Sequence, residues 1–205
     1  LNTCGNYNVA VGTSAMYTTS GNQNTAVGYL SLYKNTVSDN TAVGAYTLAC
    51  NTTGTYNTAV GYASQNYTNT GGGNTSLGRQ ALYLNNDGGA HNVAIGTFAM
   101  LDNTSGSCNV AVGTCALCDN TTGGNNVAVG WRSLYNNTTA GSNVAMGREA
   151  LVSNTTGAQN VAVGHTSLYT NITGSCNVGI GVCALYTANA ADNTAVGHSA
   201  MKSNT

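Results

Sequence analysis

The chain has 205 residues, only 5% of them charged, and a formal net charge of −1. Such a balance lacks the basic footprint of a nucleic-acid binder, and no apolar run is long enough for a membrane-spanning helix. Asn and Thr number 30 each, Gly 27 and Pro none, a polar composition that would suggest disorder were it not ordered along the chain.

Residues 1–7 are a partial turn, and the first full phrase is Asn8-Val9-Ala10-Val11-Gly12. It returns as Asn24-Thr25-Ala26-Val27-Gly28 and runs on to Asn193-Thr194-Ala195-Val196-Gly197. The opening asparagines fall at 8, 24, 40, 57, 74, 92, 109, 126, 143, 160, 177 and 193. Regular spacing of about 17 residues over the whole chain identifies a repeat architecture.

Within each phrase the second residue is Val or Thr and the fourth Val, Ile, Leu or Met, so alternation sets both on one face of a strand. The third is Ala except at Ser76 and Gly179, and the fifth is always Gly. The opposite face is therefore nearly bare, and another backbone can approach it closely. Three residues after the Gly comes a small residue and then Leu or Met, as in Ala81-Leu82 and Ser167-Leu168, Gln65 being the polar exception. This reads as a second short strand. Asn120-Thr121-Thr122-Gly123 and its relatives close the coil as a turn.

One such unit cannot bury its own apolar side chains, but neighbours in register can. The expected fold is all-β: a parallel β-solenoid (β-roll or β-helix) of about twelve coils, stacked at roughly 4.8 Å into a rod of roughly 55–60 Å. Helical repeats are excluded because each unit holds two short β-type runs broken by Gly and Asn.

The steps around Asn24 and Asn40 are among the shortest. From Asn57 to His91 the pattern is least regular: Gln65 replaces Leu, Gly71-Gly72-Gly73 lengthens a turn, and Asn85-Asn86-Asp87-Gly88-Gly89 adds a residue. A bulge or loop patch on one side is expected there. Residues 92–176 keep a steady period, and the last coil breaks off inside a turn at Ser203-Asn204-Thr205. With no charged or helical cap at either end, we read residues 1–205 as one solenoid domain, a segment of a longer fibre whose coils continue or stack end to end.

The phrase Asn-(Val/Thr)-Ala-(Val/Ile)-Gly-x-x-(Ser/Ala) resembles the head repeats of trimeric autotransporter adhesins, and also repeats of phage tail-fibre-like and bacterial surface proteins. The resemblance implies a left-handed parallel β-roll, commonly trimeric, displayed on a cell or virion surface. It implies no catalysis.

Titratable groups do not gather into a catalytic set. Glu149 is the only Glu, the aspartates fall mostly in turns, and His91, His165 and His198 read as surface residues. No cofactor, metal or catalytic residue is expected. An ice-binding face is disfavoured, because Thr occupies the second strand position in only five coils. Tyr17, Tyr33, Tyr83, Tyr135, Tyr169 and Tyr186 each fall five residues after the Gly. Stacking between coils is the simpler role for that column, and a stripe contacting carbohydrate the bolder one.

Asn51, Asn103, Asn120, Asn137, Asn154 and Asn171 each begin Asn-x-Ser/Thr seven residues after the Gly, with Asn66, Asn74 and Asn136 as further sequons. Turn chemistry alone explains the column. In a secreted, glycosylating host it would also set acceptors along one exposed edge; Asn74, inside a strand phrase, is the poorest acceptor. Seven cysteines suit an oxidising, extracellular setting. Cys108 and Cys176 immediately precede a strand phrase, and Cys115 and Cys183 stand two residues after its Gly. The strand between them spans roughly 17 Å, too far for a bond within one coil. A cyclic assembly, with a trimer as the favoured closure, would join Cys108 to Cys115 and Cys176 to Cys183 between chains. The alternative is that the thiols are small buried apolar groups. Cys4, Cys50 and Cys118 have no such partners.

The expected function is a structural component of an extracellular fibre, a rigid self-associating rod with a surface open to glycosylation. The alternative is an adhesin or tail-fibre segment that binds surface glycans.

Overall fold

The computed structural model describes residues 5–68 and 70–203; Cys4 lies outside them. It holds twelve three-residue strands and, among the described residues, no helix. They are β1 (Val9–Val11), β2 (Thr25–Val27), β3 (Thr41–Val43), β4 (Thr58–Val60), β5 (Thr75–Leu77) and β6 (Val93–Ile95). Then follow β7 (Val110–Val112), β8 (Val127–Val129), β9 (Val144–Met146), β10 (Val161–Val163), β11 (Val178–Ile180) and β12 (Thr194–Val196). All twelve form one parallel sheet in chain order. Register follows the repeat: Val110 pairs with Val127 and Ala111 with Ala128. The chain is a β-solenoid with one strand per coil.

The expected second strand is absent from the described residues. The residue two after the Gly and the Leu or Met four after it both adopt positive φ, as at Cys115 (55°) and Leu117 (52°). Left-handed residues alternating with ordinary ones turn the chain sharply while keeping its N–H groups aimed along the rod. Cys115 donates to Thr97 O in the preceding coil at 3.0 Å, and Leu117 to Ser133 O in the next, also at 3.0 Å. Ladder hydrogen bonding thus survives without extended geometry. A left-handed non-glycine residue costs about 1–2 kcal/mol, and at these two corner positions every one except Ser14 and Met201 secures an inter-coil bond.

The strand faces also differ from the simplest reading of the bare side. The small third residue points inward, where Ala26, Ala42, Ala111, Ala128 and Ala162 are fully buried. It packs beneath the left-handed Leu column, with Leu117, Leu134, Leu151 and Leu168 equally buried. The larger Val, Thr and Ile side chains point outward. The coil interior is thin, so the small residue is the one that fits inside. Glycine after the strand permits the close stacking: a Cβ on Gly113 (φ 138°) would lie 2.5 Å from Gly130 O.

The irregular stretch keeps its register, with Thr58 opposite Thr75 and Thr75 opposite Val93. The extra residue is taken up in the turn before His91, where Gly88 has φ 90°. What changes is the core. Gln65 occupies a Leu position, fully buried, with Ser64 and Ser76 beside it. Ser76 Oγ donates to Gln65 Oε1 at 3.1 Å and lies 2.6 Å from Ser64 Oγ. This polar plug separates an apolar cluster running from Met16 to Ala59 from a longer one running from Ala81 to Ala195.

Candidate functional site: the outer sheet face and its edges

The Asn-Thr-Thr-Gly asparagines do not lie on an exposed edge. Asn51, Asn103, Asn120, Asn137, Asn154 and Asn171 are fully buried. Each side-chain amide is spent on its neighbours: Asn120 Nδ2 donates to Asn103 Oδ1 at 2.7 Å and to Gly123 O at 3.0 Å. An amide so placed cannot carry a glycan in the folded chain, which corrects the expectation for these six. Asn74, also buried, gives its Nδ2 to Gly89 O at 3.0 Å. Asn66 and Asn136 remain half-buried at the surface.

A second buried ladder runs through the asparagines that open each strand phrase. Asn109 donates its backbone N–H to Asn92 Oδ1 at 2.9 Å and its Nδ2 to Gly123 O at 2.9 Å. Most of the chain's Asn content is therefore internal scaffolding. Where the inner ladder is interrupted, buried polar atoms lack partners. Thr19 and Thr68 stand in Asn positions and their hydroxyls are unsatisfied, and Asn171 Oδ1 is unsatisfied because Ala188 follows it.

The outer face is built by two columns of side chains, the first and third residues of each strand. Its rows are exposed or half-buried, from Val11 (57%) through Leu77 and Met146 to Val196 (68%). No charged side chain occurs at any of these positions. The result is a long, uncharged, largely β-branched sheet surface.

Cysteines mark both edges of that face at two rows. Cys108 and Cys176, exposed, stand just ahead of β7 and β11; Cys115 and Cys183, half-buried, stand just beyond them. All four are free thiols, with Cys183 Sγ 3.3 Å from Thr166 Oγ1. Sequence reasoning missed a neighbour of Cys115. Cys118, three residues on, stands near enough to act on the Cys115 thiol. Burial, then the charge of Asp119, pushes the Cys118 thiol up to about 12. Burial likewise raises Cys115. The Cys115-x-x-Cys118 spacing was the available signal.

The tyrosine column is discontinuous. Tyr17 stacks on Tyr33 at 5.3 Å and Tyr169 on Tyr186 at 4.9 Å, while Tyr83 meets Tyr67 edge-on and Tyr135 lies under the Arg132 guanidinium at 4.5 Å. A second aromatic group, Tyr29, Tyr46 and Tyr62, packs edge to face at 5.3 and 5.9 Å. The richest side-chain cluster was also missed. Arg132 and Arg148 both lie against Trp131, at 5.3 and 5.0 Å, and both approach Glu149, at 4.0 and 3.6 Å. Its members stand at adjacent corner positions of successive coils, a contact that only the period reveals.

His91, His165 and His198 are exposed, and His91 with Tyr56 flanks an open depression of about 470 Å³ floored by Gly72 and Gly73. Among the described residues, no three His, Cys, Asp or Glu side chains converge to hold a metal ion, and no helix is long and apolar enough to cross a membrane. No family model matches the chain, and no curated protein or solved structure matches it.

Proposed function

We propose that this chain is a structural component of an extracellular fibre, at a cell or virion surface, working as a rigid rod that associates with copies of itself. The observation that carries the reading is the unbroken parallel sheet of twelve in-register strands, braced inside by two asparagine ladders. Every coil is tied to the next by backbone and side-chain hydrogen bonds, so bending has no preferred joint in the backbone. The scarcity of charge and the scattering of its titratable groups fit a mechanical role better than a catalytic one. Electron micrographs of the native particle test it: long uniform filaments are expected, and short spikes with a distinct tip would overturn it.

The second reading, an adhesin or tail-fibre segment that binds surface glycans, is favoured by one place. The depression between Tyr56 and His91 offers an aromatic face and a polar ring where one side chain is replaced by Gly73. Glycan-array binding lost in Tyr56→Ala would support that role.

A further inference from the structure

We propose that the outer sheet face docks a second copy of this chain, the two rods lying side by side and pointing the same way about a two-fold axis parallel to the rod. This deepens the self-associating fibre reading and rests on it.

The face itself demands a partner. Twelve rows at roughly 4.8 Å and a three-residue strand roughly 10 Å wide present on the order of 500 Å². That lies toward the upper end of the roughly 300–600 Å² of the largest patch on a typical monomer, and two such faces together bury about the 1,000 Å² that a specific interface must clear. The face carries no charge, and Val11, Leu77, Met146 and Val196 are all exposed along it. A surface ridged at one strand spacing is matched over its whole length by another surface ridged at the same spacing. A second copy supplies that match.

The cysteines select the orientation. Turning a rod by 180° about an axis parallel to itself leaves every row at its own level and exchanges the two edges of the face. At the β7 row, Cys108 then stands opposite the partner's Cys115, and Cys115 opposite the partner's Cys108. At the β11 row, Cys176 and Cys183 meet their complements in the same way. All four edge cysteines are used, each pair twice, as an isologous contact requires. Rods packed antiparallel would instead bring Cys108 toward the partner's Cys176, and only after sliding until part of each face is uncovered.

Disulfide exchange with oxidised glutathione would close these pairs. The Cys108 thiolate displaces one glutathione thiol, forming a mixed disulfide; the partner's Cys115 thiolate displaces the second. Two protein thiols are oxidised, and one glutathione disulfide is reduced to two thiols.

The test uses the whole chain, reduced, by sedimentation equilibrium, with Val112→Lys/Val129→Lys as the face variant and circular dichroism to confirm its fold. Wild type is expected at twice 20.7 kDa and the folded variant at the single mass. Nitrogen-15-labelled and unlabelled wild type are then mixed, oxidised with glutathione disulfide and digested without reduction. Expected are mixed-isotope Cys108–Cys115 and Cys176–Cys183 peptides. A wild-type monomer would overturn both this docking and the self-association reading beneath it. A trimer, or an assembly that persists in the lysine variant, overturns the docking alone. Cys108–Cys176 peptides, Cys115–Cys118 peptides alone, or a dimer with its thiols unlinked overturn the parallel two-fold.

Discussion

Asn137 donates its side-chain amide to Asn120 Oδ1 at 2.8 Å, and both side chains are fully buried although 17 residues separate them. The same amide donates to Ala140 O at 3.0 Å, and Asn137 Oδ1 accepts from Asn154 at 3.0 Å. Asn137→Ala therefore strands an acceptor on one neighbour and a donor on the other. At about 1–3 kcal/mol for each orphaned buried group, a loss of about 2–5 kcal/mol is expected in urea unfolding. A loss under about 1 kcal/mol would mean that the ladder is not what holds the turn.

Two substitutions should stabilise the chain by completing its own pattern. Gln65→Leu extends the buried Leu column through the polar plug, and Thr68→Asn gives Asn51 and Asn85 the rung between them while removing a hydroxyl with no partner. Each is expected to raise stability by about 1–2 kcal/mol, measured as a higher urea midpoint, and the double variant by more than either. Destabilisation by both would show that the plug is itself a packed unit.

Glycan occupancy should follow burial rather than sequon pattern. Secreted from a glycosylating host, the chain is expected to carry sugar, if at all, at Asn66 and Asn136, the half-buried sites. Enzymatic deglycosylation in oxygen-18 water, followed by peptide mapping, reads each site. Full occupancy at Asn120 or Asn137 would contradict the ladder.

The Cys118 thiol sets an alkaline dependence. Its folded value stands near 12 against an ordinary 9, so the folded state keeps the proton that the unfolded state loses. The resulting stability is complete below about pH 9 and is lost as pH rises from there toward 12. Unfolding free energy should fall over that window, and Cys118→Ala should lessen the fall. An unchanged slope in the variant would remove Cys118 as the cause. Alkylation at pH 8 should likewise mark the exposed Cys108 and Cys176 long before Cys118.

The period, the strand phrase and the parallel register were all legible in the residues, because Asn, Ala and Gly recur where a stacked strand needs them. The conformation of Leu117 and its equivalents was not. Leucine carries no local mark of a left-handed backbone, and only the hydrogen bond to the next coil makes that state stable. Alternation in Val110-Ala111-Val112 announced two faces without saying which lies inside; the narrow interior decides it. Asn120-Thr121-Thr122-Gly123 looks like a solvent turn in one copy. Its burial depends on the copy above and the copy below.

Because Asn120 Oδ1 would accept the amide of Asn154 as readily as that of Asn137, the coils are interchangeable parts. Excising residues 126–142, one whole 17-residue unit, would bring Asn143 to the place of Asn126 with both ladders, the glycine column and the outer face continuous across the junction. Length in this protein is thus a free variable: unequal recombination within a repetitive coding sequence could lengthen or shorten the molecule without asking anything new of its fold.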